Sequence, residues 1–235
     1  MKLRQLFSSD NKTDQPDPRQ DEKIFCISFQ RTGTTSVGGF LKELGYSVAD
    51  WSVSHRNQWG RKWVDGQFDA ITESKDFIAH QGFEDGPWFA PEFYRFLYHR
   101  FPRSKFILFE RDADAWFQSM LSHSGGRSLG VTAVHAKIYR RESEYLDLCA
   151  AADDPETVDQ NGLELAGHKD HYIDIYRTRN RETRQFFQAR DPNRLFTGRL
   201  EDPDKWRRLA EYLGHDPGLA QEVHMNRSPQ STGNA

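Results

Sequence analysis

The chain has 235 residues, with 32 Lys+Arg against 35 Asp+Glu, a formal charge of −3, and 36% hydrophobic and 13% aromatic residues. That length holds one domain with a sizeable core, and 17 Phe, 8 Tyr and 6 Trp supply apolar surface in large units, which excludes global disorder. The near-balanced charge argues against a non-specific nucleic-acid binder, and two cysteines, Cys26 and Cys149, are too few for a disulfide framework or a Cys-based zinc site.

Residues 1–22 lack the apolar core and cleavage site of a signal peptide and read as a disordered or loosely packed arm. No run of about 18 apolar residues predicts a membrane span, so a cytoplasmic protein with no stable membrane insertion is expected. Order is predicted from Lys23. Ile24 to Phe29 is a short apolar run suited to a doubly covered parallel strand. Gln30 to Ser36 then forms a compact polar turn leading into Val37, Phe40, Leu41 and Leu44, apolar positions at helical spacing, with Gly45 as the stop. Asp76 to His80 predicts a further strand and Pro91 to Phe101 a helix whose first turn tolerates its proline. Lys105 to Glu110 repeats the strand-to-helix switch, followed by Arg111-Asp112 and then Trp116, Phe117, Met120 and Leu121.

The stretch 124–169 contains Gly125-Gly126, an acidic run from Ala151 to Glu156, and one predicted helix around Val131 to Leu148; it reads as a lid or insertion, or as a disordered loop. Ile173, Tyr176, Phe186 and Phe187 mark a helix whose Arg177, Arg179, Arg181 and Arg184 form either a solvated face or a patch for an anionic substrate. Leu195 to Thr197 is the last predicted strand, Pro203 to Leu213 the closing helix stopped by Gly214, and residues 228–235 a flexible tail. Strands alternating with helices make this an α/β domain, 23–227, around a mainly parallel sheet.

A strand that runs into a Gly/Thr/Ser loop and then a helix aims backbone N–H groups at one point, where the helix dipole adds positive potential and attracts a phosphate or sulfate. Here Gly33 permits close backbone approach, Thr34, Thr35 and Ser36 supply hydroxyls, and Arg31 a full charge. The nucleotide triphosphate version, G-x-x-x-x-G-K-[ST], fails twice: with Gly33 as its second glycine, Ser28 stands at the first and Thr34 at the lysine.

Phe29-Gln30-Arg31-Thr32-Gly33-Thr34-Thr35-Ser36 resembles the 5′-phosphosulfate-binding loop of sulfotransferases, P-[KR]-[TS]-G-T-[TS]-[ST]. The segment from Lys105 to Ser119 is similar to that family's 3′-phosphate-binding element, with an Arg at the strand end, Arg111, and a Ser eight residues later, Ser119. Gly82 to Trp88 is similar to the D-x-P-[WF] element of a bacterial-type branch, and Trp206 to Gly214 to its closing helix. Gln30 departs from the usual Pro and Arg31 from the usual Lys, no carboxy-terminal R-K-G-x-x-G-D-W segment is present, and His224 to Arg227 is a candidate replacement for its 3′-phosphate ligands. The resemblance implies a three-layer fold like that of P-loop NTPases, 3′-phosphoadenosine 5′-phosphosulfate as donor, and no metal. It assigns Arg31, Thr32, Gly33, Thr34, Thr35, Ser36, Arg111 and Ser119 to the donor, with Arg31 stabilising charge on the leaving phosphate.

A base must take the acceptor's proton. Asp85 is the leading candidate because Asp85-Gly86-Pro87 has the form of the family's His-x-Pro with a carboxylate; His80 and Glu84 are the others, and Asp85 could equally be an ordinary turn residue. Trp51, Trp59, Trp63, Trp88 and Phe89 suit a sugar, phenol or lipid acceptor, or the core. The competing expectations are a small-metabolite kinase using Mg·ATP and a non-catalytic nucleotide-binding protein.

Overall fold

The computed structural model describes residues 22–219. In chain order it runs β1 (Ile24–Cys26), α1 (Thr34–Glu43), β2 (Val48–Ala49), α2 (Trp51–Arg56), α3 (Trp59–Val64), α4 (Phe68–Thr72), α5 (Lys75–Ala79), β3 (Gly82–Phe83) and α6 (Phe93–Arg100). It continues with β4 (Lys105–Glu110), α7 (Ala113–Ser124), α8 (Thr132–Ile138), α9 (Glu142–Ala151), α10 (Pro155–Asn161), α11 (Lys169–Gln188), β5 (Leu195–Arg199) and α12 (Lys205–Leu213). The five strands form one sheet in the order β2-β3-β1-β4-β5, parallel at every pairing.

Side-chain alternation along the strands separates two cores. Phe25 and Ile27 of the first run, with Phe106 and Leu108 of β4, enter an aromatic core with Trp88, Trp116, Tyr172 and Tyr176. Ile24, Cys26, Ile107 and Phe109 face the other way, onto Val37, Phe40 and Leu41 of α1 and Trp206 and Leu209 of α12. The result is three layers, helix on sheet on helix, as the alternating pattern predicts.

The strand predicted at Asp76 to His80 is instead the helix α5. Two interactions hold that turn: Ser74 Oγ accepts from Phe77 N, and the buried Lys23 Nζ donates to the carbonyls of Phe77, Ile78 and His80 at 3.2, 3.1 and 2.8 Å. The strand itself comes later, at Gly82–Phe83, paired between β1 and β2.

The helix expected around Val131 to Leu148 is two, α8 and α9, because Arg140 sits at a φ of 53°, which no α-helix continues through. Segment 124–169 is helical and closed at its neck: Arg127 bridges Glu164 antiparallel, and Ser128 N and Leu165 N donate to Leu163 O and Gly126 O. The arginines of α11 divide, with Arg179 buried between the Phe29 and Tyr94 rings while Arg184 on the exposed face pairs with Glu110. No helix among the described residues is long and apolar enough to cross a membrane.

Candidate active site

The sheet places the site. β1 has β3 on one side and β4 on the other, so the chain leaves its carboxyl end into a crevice between diverging connections, where open α/β sheets bind ligands. Beyond Cys26 one backbone bond continues to β4, from Ile27 N to Ile107 O at 2.9 Å, and Ser28 then extends the tie with its side chain: its Oγ accepts from Phe109 N at 2.7 Å and donates to Ile107 O at 3.3 Å. A glycine at that position would lose this tie between the two strands that carry the two motifs.

The loop then turns sharply. Thr32 donates to Phe29 O from both N and Oγ1, and both Arg31 (φ 66°) and Gly33 (φ 86°) are left-handed. Gly33 is required there twice over: that φ strains any L side chain, and a Cβ would lie 2.7 Å from Leu200 Cδ1. α1 starts immediately after it with no side-chain cap and no acid in its first turn. An uncapped helix start opening onto a crevice suits an anionic ligand.

The two motifs meet at this point. Arg31 Nε donates to Ser119 Oγ at 3.2 Å, joining the loop to the second turn of α7. Burial, and then the nearby charge of Arg111, lower the pKa of Arg31, and the Arg31 charge adds to burial in lowering that of His123. Guanidinium groups held this close together create a positive potential that suits an anion. Arg111 is fixed through its backbone: Tyr176 Oη accepts from Arg111 N at 2.9 Å and donates to Arg111 O at 3.1 Å, while its side chain lies 4.0 Å from Glu201. Asp112 caps α7, as its position before the helix favours.

Residues 23–227 match the sulfotransferase domain family. The chain belongs to that family. No curated protein matches the sequence. Among solved structures, a sulfotransferase from Alicyclobacillus acidocaldarius is similar over 88% of this chain and 87% of that one, at 14% identity and a TM-score of 0.48.

In this sulfotransferase domain the three base candidates are set apart by β3. His80 precedes the strand, at the opposite end of the sheet from the loop, and its Nδ1 lies 2.6 Å from Asp76 O within the α5 cap. The structure therefore does not bring His80 to the crevice. Glu84 is 4% exposed, lies against Gly38 of α1, and has an Oε2 without a hydrogen-bond partner among the described residues. Burial, with the charges of Asp85 and Asp50, pushes its pKa up to about 8. Asp85 comes next in the chain, at a φ of 68° before the cis Gly86–Pro87 bond, and lines a cavity of about 370 Å³. Burial raises its pKa, and a hydrogen bond from Gln30 Nε2 at 3.3 Å opposes that rise.

That cavity is walled by Trp51, Phe89, Val131, Val134, Ile138 and Tyr139, bringing α2, the turn after β3 and α8 together. Of the five aromatic residues named as acceptor or core candidates, Trp59, Trp63 and Trp88 are core, whereas Trp51 is 55% exposed and stacks on His55 at 4.9 Å.

Three residues outside the predicted site support it. Trp116 Nε1 donates to Gln30 O at 2.9 Å and its ring stacks on Tyr176 at 4.3 Å, so one pair of side chains ties both loops. Gln30 itself reaches the base candidate. The signal for Gln30 was its departure from proline; Trp116 and Tyr176 carried only helical periodicity. The candidate ligands His224 to Arg227 and the arm 1–21 lie outside the described residues.

Proposed function

We propose that this domain moves a sulfuryl group from 3′-phosphoadenosine 5′-phosphosulfate to the hydroxyl, or amine, of a small and largely apolar acceptor. One observation carries the reading: Arg31 of the first motif and Ser119 of the second, 88 residues apart, touch at the carboxyl edge of the sheet. The residues present fit such a donor, since an uncapped helix start, a left-handed glycine in the loop, and Arg31 half-buried beside the charge of Arg111 suit a ligand with two phosphate-type groups.

In this reading the loop N–H groups and the Thr34, Thr35 and Ser36 hydroxyls hold the 5′-phosphate, and Thr32 shapes the turn that presents them. Arg111 and Ser119 take the 3′-phosphate, and Arg31 stabilises charge on the oxygen that leaves sulfur. Asp85 accepts the proton of the acceptor group as its oxygen or nitrogen bonds to sulfur. Its raised pKa makes it a stronger base than an exposed aspartate while Gln30 keeps it ionisable. A transferring sulfuryl carries less negative charge than a phosphoryl, so the residues named need no divalent cation to neutralise it.

The cavity supports the acceptor class. Its walls are mostly apolar, and its ionisable members, Arg61, His55 and His135 beside Asp85 and Asp159, form no basic cluster for a sulfated polymer. A one- or two-ring phenol or alcohol, or a lipid head of that size, fits about 370 Å³. Cys26, whose thiol burial pushes up to about 12, and Cys149 are both free, which favours the reducing cytoplasm.

Calorimetric titration with 3′,5′-diphosphoadenosine, against 5′-AMP and Mg·ATP and with or without EDTA, tests the donor. Binding of the diphosphate well above both controls and indifferent to EDTA is expected. Tighter binding of Mg·ATP would replace this reading by that of a kinase; diphosphate binding without turnover on any acceptor would leave a nucleotide-binding protein.

A further inference from the structure

Gln30 stands where the family's loops carry proline, and it is the residue through which the two halves of the site touch. Its carbonyl accepts the Trp116 indole N–H at 2.9 Å, which anchors it to α7, the helix that carries Ser119. Its side chain crosses to the far side of the crevice, where Nε2 donates to Asp85 Oδ1 at 3.3 Å. The orientation of the amide follows from its partner, because a carboxylate only accepts and must face the NH₂ group. Both side chains line the same cavity. Asp85 has a left-handed backbone, and no other side-chain hydrogen bond to its carboxylate is found among the described residues. A proline in place of Gln30 has no donor to offer it.

We propose that Gln30 is a positioning residue: it holds Asp85 with one oxygen occupied and the other left for the acceptor, and ties that base to the loop that binds the donor. This rests on Asp85 being the base, as proposed above. A donor on Oδ1 favours the carboxylate over the acid, so Gln30 keeps a half-buried aspartate able to take a proton near neutral pH. The group facing Asp85 from its own turn is Glu84, and the cavity adds His55, Arg61, His135 and Asp159 from the helices packed around it.

The test uses the full-length protein labelled with ¹³C-aspartate, with the Asp85 carboxyl resonance assigned by its loss in Asp85→Asn. Gln30→Met keeps the length and removes the donor; Gln30→Glu replaces it by a like charge. In both, the Asp85 titration midpoint is expected to move upward, further in the Glu variant. With 3′-phosphoadenosine 5′-phosphosulfate and 2-naphthol as probes, kcat at pH 6 is expected to fall roughly tenfold, the scale of a lost hydrogen bond to a charged group, and KM for the donor to stay the same. An Asp85 midpoint that does not move in either variant overturns the proposal. A moved midpoint with full activity in Asp85→Asn overturns it too, by removing the base itself, while the diphosphate titration separately reports whether the donor reading survives.

Discussion

The loop after β1, proposed for the donor, and the cavity beside Asp85, proposed for the acceptor, share one edge of the sheet but are built differently. The loop is local: within seven residues, Gln30 to Ser36, the chain makes its own turn, its left-handed Gly33 and its helix start, and long-range contacts only lock what the short segment already forms. The cavity has no such segment. Trp51, Phe89, and Val134 with Tyr139 come from three separate stretches, α2, the turn after β3 and α8, and only their packing brings them together. A site for a fixed chemical group, the phosphate, can be written in backbone geometry; one for a variable acceptor body is written in packed side chains, which tolerate change.

If the two regions divide the work, variants on each side should fail differently. The largest loss is expected from Asp85→Asn: kcat down by about 10²–10⁴, the range for removing a general base, with calorimetric affinity for 3′,5′-diphosphoadenosine unchanged. In the wild type, kcat should rise with pH through a midpoint above the ordinary carboxylate range, since burial raises the Asp85 pKa, and that limb should vanish in the variant. Arg31→Ala crosses the divide from the other side, with turnover down by roughly 10²–10³ and diphosphate affinity also weakened. Near-normal turnover there would break the assignment of the loop. Trp51→Ala should be milder, raising KM for 2-naphthol by about fivefold, or 1 kcal/mol, without altering donor binding, because Trp51 is half-exposed and only its face is offered.

The last effect concerns stability, not turnover, and separates Glu84 from its neighbour. With its folded pKa near 8 and its ordinary value 4.5, Glu84 keeps a proton in the folded state that the unfolded chain releases. Its contribution to stability is therefore present at low pH and declines as pH rises between those values, by up to about 1.4 kcal/mol per pH unit. Urea unfolding of Glu84→Gln between pH 5 and 8 should show that part of the slope removed, with the variant gaining most at pH 8.

Much of this could be read beforehand, and the misses have a common cause. The strand at Lys105 to Glu110 and the helices at α1, α7 and α12 follow from long or strongly periodic runs. β2 and β3 are two residues each, too short to show a period, and α5 looked like a strand because Phe77-Ile78-Ala79 is apolar; Ser74 and the distant Lys23 decide it. His80 was then misplaced with the strand it was attached to. Asp85, named from a three-residue pattern, lands on the cavity because its turn follows the real strand.

Sequence by itself therefore determined the family, the parallel α/β plan and the strand-loop-helix at Gln30 to Ser36, because those depend on short-range periodicity and on backbone chemistry confined to neighbouring residues. Only the tertiary structure decided that Arg31 reaches Ser119, that the Gln30 amide reaches Asp85, and that Glu84 and His80 are withdrawn from the crevice. Those outcomes turn on which end and which face of a strand a side chain occupies, and a shift of one residue in register reverses the answer.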